Sequence, residues 1–453
     1  MGIPTVTVTR EGFSQVVGNA FAGMKFPAEA PHVAYPIGMF LPGSDLTPLE
    51  GKKDELIAGL TKWKPNMKDK KVITPPRLRV EGQNYEEAVD NINNLFLRNM
   101  WSDGLPIRPP TKERVDWLLT GVDISPDKEI AKILPRGGMV TVETIAVNLA
   151  MAGGRPEYMP VLIASIEAIS APQSQHHRMN STTCSTYPAV IVNGPITKQI
   201  RLNSGYGCLG PDPLHPAGAS IGRAIRFLLQ DAGGAIPGIG TMSIYGGPAR
   251  YTNVVFAEDE AGVPINWETF NVEQGFPQGS NVVTIYPVAS TTNIIGSEVG
   301  DKESGLECLK IAAGVMGIPN GNYWLTAYNP EGAAGILLMA RGTAQALSKL
   351  GWSKQEVKSY LWENSKVPAS KVARRVKEIM SRNGIIKQDP IPISMSPKGI
   401  KIVVAGGLQS GHMMWLQVGH GPEQLTSTEM KLPANWDELL RKAEEDLGPL
   451  PVN

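Results

Sequence analysis

Short β-branched runs that stop at glycine or at an acidic turn, spaced by helical patterns, constrain this chain more than any other feature. PAVIV at 188–192 leads into Asn193, Gly194 and Pro195, VVFA precedes Glu258, Asp259 and Glu260, and IVVA at 402–405 ends at Gly406 and Gly407. Apolar runs this short, bounded by breakers, read as buried strands. Strands alternating with amphipathic segments predict an α/β fold.

At 453 residues the chain exceeds what one hydrophobic core usually serves, so more than one domain is expected. Residues 3–9 read as a strand, 11–23 as a helix, 32–39 as extended and 48–63 as a second helix. That opening is abrupt and resembles the back part of a doubly wound, Rossmann-like unit whose front lies on another polypeptide. The organisation expected is a partial α/β domain over 1–66, a charged and proline-flanked linker over 67–76, a main α/β domain over 77–387 and a C-terminal α/β segment over 388–453. Helices are predicted over 85–98, 141–152, 156–170, 220–230, 305–316, 330–350, 353–364, 368–383 and 436–445, a strand over 282–288, and a loop around His412. No internal repeat of fixed period is visible.

Lys plus Arg and Asp plus Glu are both 43, which leaves no net charge to draw the chain to nucleic acid or to an anionic membrane. No stretch approaches the roughly 18 apolar residues of a membrane helix, and no basic flank precedes an apolar run at the start. A cytoplasmic protein is expected, and three cysteines suit a reducing compartment.

Residues 176–251 hold three of the six histidines and two of the three cysteines, amid glycine, asparagine and hydroxyl side chains. Polar, flexible residues between buried elements are what a site requires. Cys184 and Cys208 are candidate nucleophiles or redox centres, with His176, His177 or His215 as base; Cys308, on an apolar helical pattern, reads as core. Glu258 is a candidate general acid or base. Gly205, Gly207 and Gly210 match dinucleotide-loop spacing, but the prolines that follow open no helix for a pyrophosphate. PAGASIGRAIRF is the better anion cradle, with Ser220 and Gly222 at a helix start and Arg223 as a two-pronged grip. His412 is expected to face this site across a domain boundary. The histidines and cysteines also leave a zinc or iron set open, without the close spacing of known metal motifs.

The ordered runs DGLPIRPPT, TVETIAVNLAMAGGRPEYMPVLIASIEAI, IVNGP, LNSGYGCLGP, ASIGRA, GGAIPG and AEDE resemble a bacterial family associated with UGSC-type selenoproteins, over residues 95–420. GIPTVTVTREGF and the following ~60 residues resemble the C-terminal half of the UGSC-type domain itself. The family pattern has a cysteine where this chain has Gly154 and a histidine where it has Cys184. Asn193, Gly194, Asn203, Ser204, Gly205, Ser220, Gly222 and Arg223 match, and their types suit holding a small polar substrate. The resemblance implies a small partner subunit, or an upstream segment, that carries a cysteine or selenocysteine loop; a homo-oligomer is the other arrangement expected. The function expected is the large subunit of a thiol- or selenol-dependent enzyme that reduces, or cleaves a carbon–heteroatom bond in, a small polar or anionic molecule. A metal-dependent lyase or hydratase and a non-catalytic scaffold subunit are the alternatives.

Overall fold

The computed structural model describes residues 4–23, 27, 29–40, 43–64, 78–247, 254–319, 334–382, 388–419 and 424–450; the expected linker lies outside them. The fold is multi-domain α/β. At the N-terminus β1 (Thr7–Arg10), α1 (Ser14–Gly23), β2 (His32–Tyr35) and α2 (Lys53–Thr61) form a β–α–β unit in which β1 and β2 pair in parallel, Val8 opposite Val33. Val33 and Tyr35 are buried, but Val8, Ile37, Phe40, Ile57 and Leu60 are exposed.

The main body begins with α3 (Tyr85–Arg98) and α4 (Lys112–Leu119), followed by the hairpin β3 (Glu129–Ile133) and β4 (Gly138–Thr141), then α5 (Val142–Met151), α6 (Met159–Ser170) and α7 (His176–Ser181). Asn84, Thr111 and Thr141 start α3, α4 and α5 because each side chain accepts a bond from the N–H three residues on, a group the helix itself leaves unpaired. Next come β5 (Tyr187–Asn193), α8 (Ala217–Asp231), β6 (Val254–Ala257), β7 (Val282–Ile295) and α9 (Lys302–Met316). The last part is β8 (Gly335–Met339), α10 (Arg341–Lys349), α11 (Lys354–Asn364), α12 (Arg374–Arg382), β9 (Ile400–Val404), β10 (His412–Val418), β11 (Thr426–Glu429) and α13 (Trp436–Leu447).

Strands β5 to β11 form one sheet in the order β6-β5-β7-β10-β8-β9, with β11 also on β7. The order repeats: β5 and β6 are parallel with β7 antiparallel beside β5, and β8 and β9 are parallel with β10 antiparallel beside β8. Two β–α–β–β halves thus meet along the antiparallel β7 and β10, about an approximate twofold between them. The sequence shows no such repeat because the halves share topology, not residues. The strands after residue 388 are built into the same sheet as those before it, β10 in its middle.

Every residue of β5 is buried. Val190 and Val192 pack with Val255, Val283 and Ile285 in one apolar cluster with α5, α6 and α8; Ala189 and Ile191 join Phe256, Tyr286 and the second half in another. Covered on both faces, the strand reads as a continuous apolar run. The sheet also curls: the Asp259 N–H beyond β6 donates to the Val404 carbonyl of β9 at 2.8 Å, although these strands lie at opposite ends of the order. The C-terminal ends of all four parallel strands therefore converge.

Several sequence expectations differ from the structure; one is the helix expected over 368–383, where a short 3-10 turn at Ala369–Lys371 precedes α12. Of the described residues within the helix expected over 330–350, 335–339 form β8 and 341–349 a helix, since GILLM lies between β9 and β10 with every residue buried. The loop expected around His412 is β10, whose Met413, Trp415 and Leu416 are core.

Candidate functional site

Where the strand ends converge, Asn203 and Ser204 bridge the two halves: the Ala257 N–H donates to the Asn203 carbonyl at 2.9 Å, and the Gly406 N–H to the Ser204 carbonyl at 2.8 Å. The chain then turns over the sheet end. Asn203 holds the turn, its Oδ1 accepting from the Gly205 N–H at 2.8 Å while its Nδ2 donates to the Tyr206 carbonyl and to Asp212 Oδ2 at 2.8 and 3.0 Å. Tyr206 lies on the second half, its hydroxyl accepting from the Leu408 N–H at 3.3 Å. The Tyr206 ring packs closely over Gly407, where a Cβ would stand 2.2 Å from it and force the ring to shift. Asp212 Oδ2 also meets His215 Nδ1 at 2.5 Å, one residue before the N-cap of α8. Burial raises the Asp212 carboxyl, but bonds from the His215 ring and the Leu214 N–H outweigh it and hold it below its ordinary range. An ionised carboxylate fixed on Nδ1 orients an imidazole and leaves Nε2 for proton transfer.

At the ends of β5 and β6 lies a buried polar knot. Asn193 Nδ2 donates to Glu258 Oε2 at 2.7 Å and to Glu260 Oε1 at 3.0 Å; the Gly194 N–H reaches Glu260 Oε1 at 2.6 Å and the Phe270 N–H reaches Glu258 Oε2 at 2.6 Å. Burial pushes the Glu258 carboxyl up, only partly offset by Lys354 and these donors. Among the described residues Asn193 Oδ1 and Glu258 Oε1 are buried without a hydrogen-bond partner, a departure from the usual pairing of buried polar atoms. Gly194 takes φ +98°, and a Cβ there would run into Ser280 and Asn281. Beside the knot Arg341 faces Asp259 at 3.6 Å and donates to the Ala261 carbonyl at 2.9 Å.

The remaining expected residues lie elsewhere or serve other ends. Arg223 grips Asp103 with two bonds of 2.9 Å and also donates to the Leu105 and Pro106 carbonyls. It straps residues 103–106 onto α8 rather than offering an open anion cradle; Ser220 and Gly222 precede it on the same helix. Cys208 turns into the apolar core, and burial pushes its thiol up to about 12, where little thiolate forms at neutral pH. Cys308 is core, as expected. Cys184 is half-buried, its N–H on Thr182 Oγ1 at 3.1 Å. His176 is buried with Nε2 accepting from the Leu134 N–H at 2.9 Å, and desolvation lowers it to about 4. A ring tied to β3 in this way is structural; burial also lowers His177, beside it on α7. His412 is exposed at the start of β10, at the sheet end where β8 closes, and its carbonyl serves Ala340 and Thr343.

Of the residues expected, the structure gathers Asn193, Gly194, Asn203, Ser204, Gly205, His215 and Glu258 at the strand ends. Sequence reasoning missed Asp212, Tyr206 and Arg341, while Glu260 stood with Glu258 and Asp259 among the acids expected to supply a general acid or base. The Asp-x-x-His spacing of Asp212 and His215 was the available signal. Among the described residues no three of His, Cys, Asp and Glu stand as a metal-ligand group, and no helix is long and apolar enough to cross a membrane. No protein-family model, no curated protein and no solved structure matches the chain.

Proposed function

We propose that this chain is an enzyme that moves a proton on a small polar or anionic organic molecule at the converging ends of its parallel strands, with His215 as the base. The observation that carries this is the Asp212–His215 pair, braced by Asn203 and set where open α/β sheets most often hold ligands. His215 Nε2 takes the substrate proton while Asp212 stabilises the imidazolium; Arg341, only loosely held by Asp259, supplies a cation for a carboxylate or phosphoryl group.

The test is to incubate the purified chain with a metabolite extract in deuterated water and follow consumption and deuterium uptake by mass spectrometry. The wild type is expected to consume or label a small acid, and His215→Gln to lose roughly a hundredfold of that rate at unchanged Tm. An inert wild type, or a His215→Gln variant as active as the wild type, overturns the proposal. A second reading, thiol-dependent reduction or carbon–heteroatom cleavage, is favoured by Cys184, the one cysteine that is not buried. The reactive sulfur would then be Cys184 or a partner subunit's thiol or selenol, and Cys184→Ser rather than His215→Gln would abolish turnover by the chain itself.

A further inference from the structure

Away from the strand-end site, α4 and the turn between α5 and α6 bring two arginines over one indole, with a third, Arg108, on the segment just ahead of α4. The Trp117 ring has the Arg114 guanidinium 5.4 Å from its centroid and that of Arg155 at 5.6 Å. Arg155 is compensated, with Glu157 at 2.6 Å and Asp446 at 2.8 Å. Arg114 is not: its Nη2 donates to the Gly154 carbonyl at 3.2 Å, and its Nε is buried without a partner. Among the described residues neither Arg114 nor the exposed Arg108 pairs with a carboxylate, and Asp116 of α4 is taken by Lys112. Burial first, and then the neighbouring charges of Arg108 and Arg155, push Arg114 down to about 10. Gly153 at the same turn takes φ +75° with nothing within 4 Å of where its Cβ would stand, so the turn is open on that side.

The geometry points to an oxyanion site at Arg114, stacked on Trp117, with Arg108 beside it, that takes the phosphoryl or carboxylate group of a small soluble ligand. Guanidinium forks match such oxygens with paired hydrogen bonds, and a bound anion supplies the charge that Arg108 and Arg114 lack. Arg155, held by its two acids, shapes one wall. The site does not depend on His215.

The test is calorimetric titration of the full chain with inorganic phosphate and, separately, with citrate, ionic strength held constant with sodium chloride. Saturable binding is expected for at least one, and the tighter of the two identifies the group recognised. Arg114→Gln should weaken it by at least about tenfold, roughly one charge-assisted contact. Arg108→Gln, a change at an exposed side chain that leaves packing intact, should weaken it several-fold if Arg114→Gln fails to fold. Trp117 emission should shift on titration in the wild type, and the change should vanish in Trp117→Phe. No saturable binding of either anion, or binding that both arginine variants retain in full, overturns the inference.

Discussion

Asp231 should make this protein less stable as pH rises from mildly acidic to neutral. It lies at the end of α8 near Arg226 and Arg136, with Oδ1 buried and unpartnered. Burial outweighs those two cations and lifts its carboxyl from 3.8 to about 7. At about 1.4 kcal/mol per tenfold change in proton affinity, ionising it in the folded chain costs on the order of 4 kcal/mol more than in the unfolded chain. Below the unfolded value both states hold the proton and nothing is lost. Between about 4 and 7 the unfolded chain releases it first, so stability falls with rising pH, and above the folded value the loss is complete. Asp231→Asn removes the titration. Urea denaturation at pH 5 and pH 8 should show the stability difference between variant and wild type growing by about 3 kcal/mol in the variant's favour, that being the part of the range still to be crossed. Parallel pH dependences would refute the reasoning and mean that Arg226 and Arg136 keep the carboxylate charged.

The other expectations concern thiols and the α8 strap. In the native protein one thiol should react readily with a disulfide reagent and disappear in Cys184→Ser, whereas Cys208 and Cys308, pushed up to about 12 and about 11 by burial, should react only after unfolding. Two fast thiols in the native state would contradict that. Arg223→Met should destabilise by about 3 kcal/mol, because it strands an Asp103 side chain that is only 3% exposed. The double change with Asp103→Leu should recover most of the loss in urea midpoint, and no recovery would mean that the bonds to Leu105 and Pro106 dominate.

What the sequence disclosed was what local chemistry decides. The helices over 85–98, 141–152 and 353–364 were legible in the residue pattern, and the structure shows Asn84, Thr141 and Ser353 as the caps that start them. The strand ends at Asn193 and Glu258 stood out because polar residues directly follow apolar runs. What stayed hidden depends on partners distant in the chain. Arg223 looks like a free first-turn cation until Asp103, 120 positions away, is found beneath it. Cys208 looks accessible amid glycines, yet the turn folds it inward. β8 (GILLM) and β10 (HMMWLQV) are dominated by Leu and Met, which favour helix as much as strand, and neighbours on both sides supply the ladders that make each a strand.

The placement of β10 also governs when this protein can finish folding. Emerging from the ribosome, the first half can pair β5, β6 and β7, but the outer half of β7, residues 289–295, has only β10 beside it. That stretch must wait for more than a hundred further residues, with an unpaired edge open to other chains. Pairings so remote slow folding. Chain truncated just ahead of residue 412 is therefore expected to persist as two unjoined half-sheets and to aggregate, and synthesis of the full length to need protection until β10 slots between β7 and β8.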